Sequence, residues 1–268
     1  MSAAAGMAAG ATAGALLEAK RLRKSFGGVK AVQDISLAIP DKSIFAVIGP
    51  NGAGKSTMMN LLSGTYQPDS GELLFDGREM VGMPSHQRVR LGLARTFQKI
   101  RLFKQLSLLD NVLAGFHIHH HVPAWQYLIP AGAFQRDWRR TREEGMALLE
   151  FVGLADRALQ RAGSLAYGQQ RMLEIARAMA TGPRLFMLDE PAAGLNSVEV
   201  AFLLKLLVEI RKRGITVVVV EHNMDLVMNV ADRVFVMDHG EYLFEGEPRE
   251  VQDNPKVIEA YLGGEFVA

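Results

Sequence analysis

Apolar and polar positions change their period several times along this chain, and each change marks an element. LEAKRLRKSF (17–26) alternates apolar with charged residues and predicts a half-buried strand. VKAVQDISLAI (29–39) alternates similarly and ends at Pro40 and Asp41, a turn. IFAVIG (44–49) is an unbroken apolar run stopped by glycine, the pattern of a strand covered on both faces. KSTMMNLLSG then takes helical spacing and closes at Gly64, and YQPDSGELLFDG reads as turn, strand, turn. From about Arg90 to Arg161 the pattern becomes mainly helical, with basic and aromatic residues interspersed. RLFMLDE (184–190), ITVVVVEH (215–222), RVFVMDHG (233–240) and EYLFEGE (241–247) predict four more strands. VEVAFLLKLLVEIRKR between the first two is an amphipathic helix.

Strands alternating with helices imply an α/β fold with a mostly parallel sheet covered on both faces. No internal repeat interrupts that order. A chain of 268 residues, 49% hydrophobic and 22% charged, suffices for one large domain or two small ones. The net charge of +1 argues against a nucleic-acid partner. The absence of cysteine excludes a disulfide framework and any cysteine metal site. No apolar run reaches the roughly eighteen residues a membrane span requires. The opening MSAAAGMAAGATAGALLEA lacks the basic start of a signal peptide and reads as a disordered tail.

Residues 49–56, GPNGAGKS, fit G-x-x-x-x-G-K-[ST] at every fixed position, after a strand and before a helix. Gly49, Gly52 and Gly54 let the backbone fold tightly around phosphate oxygens where side chains would clash. Pro50, Asn51 and Ala53 complete the loop, and the helix beginning at Lys55, Ser56 and Thr57 presents its positive end to the anion. Lys55 is placed to reach the β- and γ-phosphates of ATP, and the Ser56 hydroxyl to ligate Mg²⁺. RLFMLDE delivers Asp189 and Glu190 to the C-terminal end of a buried strand, where ligands bind in open α/β sheets. Asp189 is expected to hold the metal through water, and Glu190 to polarise an attacking water as general base.

These motifs, with others in the same order, resemble the ATP-binding cassette ATPase family over about residues 17–262. TFQ, with Gln98, falls at that family's Q-loop. LAYGQ, comprising Leu165, Ala166, Tyr167, Gly168 and Gln169, is a variant of its signature L-S-G-G-Q. AAGLN follows MLDEP as the D-loop, and His222 in VEHNM stands at the switch histidine. Phe26 in KSFGG occupies the adenine-stacking position.

The resemblance implies a P-loop NTPase with a mostly parallel core sheet, an antiparallel β-subdomain and an inserted helical subdomain. The expected division is a tail over 1–16, a nucleotide-binding core over 17–94 and 183–262, a mainly helical subdomain over 95–182, and a short tail over 263–268. It further implies that two such domains face each other head to tail, the signature turn of one covering the γ-phosphate held by the other. ATP then acts as glue and hydrolysis weakens the contact, a population shift set by affinity for the closed state. His222 is expected to contact the γ-phosphate and steady the water with Glu190. Gln98 is expected to complete the Mg²⁺ shell and to couple nucleotide state to a partner.

Two motifs depart from the family pattern. Ala166 stands where the signature has serine and Tyr167 where it has glycine, which removes a phosphate hydrogen bond worth on the order of 1 to 3 kcal/mol. Asn196 ends the D-loop where aspartate is usual. Neither change touches Lys55, Glu190 or His222.

ARTFQKIRLFKQLSLLDNVLAG, LAYGQQRMLEIARAMA and EGEPREVQDNPKVIEAYLG look like the importer subunits for branched-chain and other hydrophobic amino acids. That branch implies a second ATPase, two membrane permeases, an indirect solute-binding protein and a peripheral place on the cytoplasmic face of the membrane. Urea or short-chain amide importers are sister systems, and a soluble non-transport cassette is the competing class. RTFQKIRLF offers Phe97, Leu102 and Phe103 between bases as an apolar pocket for a permease helix. In HIHHH, His117, His120 and His121 would share a helix face. With no cysteine or carboxylate close by, His117, His119, His120 and His121 read as a solvated or interface patch rather than a metal site.

Overall fold

The computed structural model describes residues 14–118 and 132–263. Two sheets carry the fold. The first joins β1 (Ala15–Phe26), β2 (Val29–Pro40), β4 (Ser70–Phe75) and β5 (Arg78–Glu79) in the order β2-β1-β4-β5, every pair antiparallel. The second has six strands: β3 (Ile44–Ile48), β6 (Leu93–Arg95), β7 (Leu185–Asp189), β8 (Thr216–Val220), β9 (Arg233–Asp238) and β10 (Glu241–Gly246). Their order is β10-β9-β3-β8-β7-β6, parallel throughout except for the terminal β9–β10 pair.

The unbroken apolar runs of β3, β7 and β8 are buried at every position. Period-two geometry sends alternate residues to opposite faces. Leu185 and Met187 join Phe45, Val218 and Val220 on one face, under the first sheet and α1 (Lys55–Ser63), with Leu17, Leu22, Met58 and Leu61. Phe186 and Leu188 join Val217 and Val219 on the other, against Leu203, Leu206, Leu207 and Ile210 of α6 (Ser197–Lys212). Each of those α6 side chains contributes about 1.5–3 kcal/mol by leaving water.

That second core continues into the helical region. Beyond the short helix α2 (Ser85–Arg90), α3 (Leu108–Phe116), α4 (Gly132–Phe151) and α5 (Tyr167–Met179) supply Leu109, Val112, Leu149, Leu173 and Ile175 to it. Ser107 caps α3 by accepting the Asp110 N–H at 3.0 Å. A smaller third core lies beyond β9, where α7 (Met224–Val230), α8 (Pro248–Gln252) and α9 (Pro255–Gly263) bring Val227, Val251 and Val257 against Ile48 and Val236.

Two boundaries differ from the sequence reading. β1 begins at Ala15, inside the stretch expected to be tail: Ala15 pairs with Pro40, and Leu16 is buried beneath the sheet. β6 is a core strand inside the stretch read as helical. Three residues are too few to show a period, and β6 is held by pairing Leu93 with Leu185. Residues 1–13 and 264–268, which include most of both expected tails, lie outside the described residues. No helix among the described residues is long and apolar enough to cross a membrane.

Candidate active site

The 49–56 loop leaves the C-terminal end of β3 and turns directly into α1. Gly54 forms the N-cap of α1 with φ 94°, a left-handed conformation, and no side chain caps the helix. A Cβ at Gly54 would collide with the Ala31 carbonyl oxygen, so the loop requires glycine there for space as well as for φ. The first turn of α1 carries no acidic residue. The uncapped helix end therefore offers backbone N–H groups and a positive dipole to an anion. Asn51, Gly52 and Ser56 are exposed, Pro50 and Thr57 half-buried, and Ala53 buried with its N–H donating to Pro50 O at 3.2 Å.

Lys55 is buried and donates from Nζ to the carbonyls of Gly49 at 2.6 Å and Pro50 at 2.9 Å. Burial lowers its pKa, and the charges of Glu190 and Asp189 partly offset that. The amine and the two carboxylates thus share one electrostatic neighbourhood, as loop and strand end must if they serve one ligand.

Asp189 ends β7 and is buried; its Oδ2 accepts from Arg95 Nη2 at 2.8 Å. The other terminal nitrogen of Arg95, Nη1, donates to Asn60 Oδ1 at 2.7 Å and Ser63 Oγ at 2.9 Å, both on α1. Arg95 therefore fixes β6, β7 and the phosphate-loop helix to one another. Glu190 follows with φ 47°, an unfavourable region for a residue with a Cβ, held by its N–H bond to Val220 O at 2.9 Å. Gln98 Nε2 donates to Glu190 Oε2 at 2.9 Å, so two residues far apart in sequence meet side chain to side chain.

Arg171 of α5 is fully buried and ties this corner to the signature turn. Its guanidinium donates to Phe97 O at 2.9 Å, Gln98 O at 3.0 Å, Glu174 Oε2 at 2.9 Å and the Tyr167 hydroxyl at 3.3 Å. Ala166 is the N-cap of α5 and has no acceptor to offer, so Gln169 turns back: its Oε1 takes the Ala166 N–H at 3.3 Å and Arg157 Nη1 at 2.6 Å. The amide oxygen of Gln169 is thus engaged within the chain. Leu165, expected among the nucleotide-facing residues, has its side chain in the hydrophobic core. Tyr167 is 45% exposed, with its ring against Gly194 of the D-loop. Gly168 is buried against the Glu199 carboxylate. Asn196 caps α6, accepting from Val198 and Glu199 N–H at 3.0 Å each, while Glu199 Oε2 accepts the Asn196 N–H at 3.0 Å.

Phe26 lies at the tip of the β1–β2 hairpin, 42% exposed, edge-on to Tyr66 with ring centroids 5.2 Å apart and with Lys24 Nζ 5.4 Å from its centroid. It is not a core aromatic. His222 is exposed just beyond β8. Sequence reading passed over Arg95, Arg171, Glu199 and Glu221. Each is a charged residue inside a motif's neighbourhood, and no spacing distinguished it from a solvated one.

The apolar pocket expected around 97–103 is only partly present. Phe97 is covered by Arg101, 4.3 Å from its ring centroid, and by Arg95 at 5.6 Å; Leu102 packs on the main core. Phe103 remains 53% exposed and Leu106 43%. His117 is exposed at the C-terminal end of α3; His119, His120 and His121 lie outside the described residues. Among the described residues no three His, Cys, Asp or Glu side chains gather to hold a metal.

A mostly parallel sheet with a phosphate loop after one strand and paired acids after another defines a P-loop nucleoside triphosphatase. Residues 32–193 match the family model for the ABC transporter, and residues 243–267 the model for the branched-chain amino acid ATP-binding cassette transporter. The chain belongs to the ATP-binding cassette family of ABC transporters, whose activity is ATP hydrolysis. It is 45% identical over 249 residues to the high-affinity branched-chain amino acid transport ATP-binding protein BraF of Pseudomonas aeruginosa, covering 92% of this chain and 98% of BraF. It is 42% identical to LivG of Salmonella typhimurium over the same shares, and 36% identical to a probable LivG of Archaeoglobus fulgidus over 93% and 96%. The crystal structure of an ABC transporter's ATP-binding cassette in its ADP conformation superposes with a TM-score of 0.81 at 31% identity, covering 93% of this chain and 99% of that one. A nucleotide-free cassette gives 0.80 at 30% identity, over 92% and 98%.

Proposed function

We propose that this chain is the ATP-hydrolysing subunit of an importer for branched-chain or other hydrophobic amino acids. The observation that carries the hydrolytic half is the meeting of Gln98 and Glu190 at 2.9 Å beside the phosphate loop. The solute rests on the relatives' named transport of branched-chain amino acids. In this reading the amides of 49–57, from Gly49, Asn51, Gly52, Ala53, Gly54, Lys55, Ser56 and Thr57, wrap the triphosphate. Pro50 contributes loop shape, having no N–H. Lys55 exchanges its two loop carbonyls for phosphate oxygens, and Phe26 stacks on adenine.

Ser56 and Asp189 offer the hard oxygen donors that suit Mg²⁺, with Gln98 as a further neutral oxygen. When bound, the metal neutralises charge on the β- and γ-phosphates. Glu190 accepts a proton from the attacking water, oriented by Gln98 and by His222, which also faces the γ-phosphate. In a dimer of cassettes, the partner's phosphates meet the α5 N-terminus through the backbone of Leu165, Ala166, Tyr167, Gly168 and Gln169.

Two permeases receive the motion through the 95–182 unit, with Phe103 and Leu106 as the exposed apolar contacts, on the cytoplasmic face of the membrane. A solute-binding protein acts beyond them. The test is uptake of labelled leucine in cells lacking this gene. Wild type restores it and Glu190→Gln does not. Restoration of urea uptake but not leucine uptake contradicts the assigned solute.

A further inference from the structure

We propose that Glu221 is a positioning residue that sets the loop after Glu190 and the loop carrying His222 in one fixed relation. This rests on the roles given above to Glu190 and His222. Glu221 follows the last residue of β8 and is fully buried. Its Oε1 accepts the Ala192 N–H at 2.9 Å. Its Oε2 accepts the N–H groups of His222 at 3.2 Å and Asn223 at 3.4 Å. One carboxylate thus gathers three backbone donors from two loops that meet nowhere in sequence. The backbone N–H of Glu190 is held by Val220 O, immediately before Glu221, at 2.9 Å. A shift of the Glu221 side chain therefore moves the hydrolytic acid's loop and the histidine's loop together.

Energetics support a positional role over a packing one. A carboxyl group buried without cover is strongly unfavourable. Here three N–H donors offset that cost, and they come only from these two loops. α7 already has its own cap, with Asn223 Oδ1 accepting the Leu226 N–H at 3.1 Å, so Glu221 is not needed to end that helix. Groups that orient reacting side chains from behind raise the rate by holding near-attack geometry, and a displacement of about 1 Å costs on the order of 10²-fold. None of the three bonds involves Lys55, Phe26 or the phosphate loop, so nucleotide affinity lies outside the effect.

The experiment uses the full-length chain with Glu221→Gln and Glu221→Ala, each alone and with His222→Ala. Gln keeps one acceptor and presents a donor to the other loop; Ala removes both. Expected is a kcat loss of about 10- to 100-fold, with KM and ATP affinity held within about threefold. The double variants are expected to turn over no slower than His222→Ala alone, to within about twofold, since both changes disable one unit. In Glu221→Gln, the ¹⁵N resonances of the His222 imidazole shift. If Glu221→Ala fails to fold, Glu221→Gln alone decides the matter. Wild-type kcat in the Glu221 variants beside a slow His222→Ala overturns this inference and leaves the functional reading standing. Loss of kcat and affinity in parallel, or losses that multiply in the double variant, also overturns it. A fast His222→Ala overturns the role given to His222, and this inference with it.

Discussion

Arg95 and Asp189 form an ion pair at 2.8 Å with only 8% and 7% of their side chains exposed. Arg95 precedes Asp189 by 94 positions in the chain, yet this contact fixes the metal-binding candidate. The pair also reaches α1 through Asn60 and Ser63, so it braces the phosphate loop against the strand that carries the acids.

Removing one partner of such a pair leaves a buried charge uncovered, which costs about 3–5 kcal/mol. Arg95→Met is therefore expected to lower unfolding free energy by that amount in urea titrations followed by circular dichroism. Arg95→Met combined with Asp189→Asn recovers most of the loss, because no carboxylate is then left unpaired. A loss under about 1 kcal/mol for Arg95→Met would mean that Asp189 is held by something else.

Two glycines make opposite predictions. Gly54→Ala meets a backbone carbonyl, that of Ala31, at φ 94°, and neither can yield. Nucleotide binding is expected to disappear in titrations with a fluorescent ATP analogue. Gly168→Ala meets only the carboxylate of Glu199, the far end of a flexible side chain. Glu199 swings aside and gives up the Asn196 N–H, so thermal unfolding is expected to report a loss of about 0.5–2 kcal/mol with nucleotide binding kept. Loss of binding in Gly168→Ala and retention in Gly54→Ala would reverse the assignment of which turn holds the ligand within one chain.

Burial raises the Glu221 carboxyl above its ordinary value of 4.5; the N–H bonds of Ala192, Asn223 and His222 and the charge of His222 oppose this without cancelling it. A carboxyl whose folded pKa lies above its unfolded one contributes stability that is full below 4.5 and is lost as pH rises through the folded value. Glu221→Gln cannot ionise. The difference in Tm, wild type minus Glu221→Gln, is therefore expected to fall as pH rises from 4.5 towards neutrality. A difference that grows with pH means the N–H bonds outweigh burial.

Much of the fold was readable because its central strands are continuous apolar runs and its phosphate loop has fixed spacing. β3, β7 and β8 need no long-range information to be seen. β6 does, since three residues become a strand only by pairing with β7. The charged residues that assemble the site were hidden for a related reason. Arg171 looks like any arginine on an amphipathic helix, and only the packing of α5 beneath the 97–98 backbone buries it. Leu165 shows the two pulls in one residue: its place in the signature motif points its backbone towards a ligand role, while its apolar side chain follows the core.

In the proposed mechanism the loop at 49–56 binds ATP while Glu190 activates the water that cleaves it. Steady-state phosphate release by the purified full-length chain, wild type against Glu190→Gln, tests it most directly, with binding of ATP followed in the same samples. The variant is expected to bind ATP still and to accumulate as a nucleotide-bound dimer while turnover falls by about 10²- to 10⁴-fold. Equal turnover in the two proteins would contradict it.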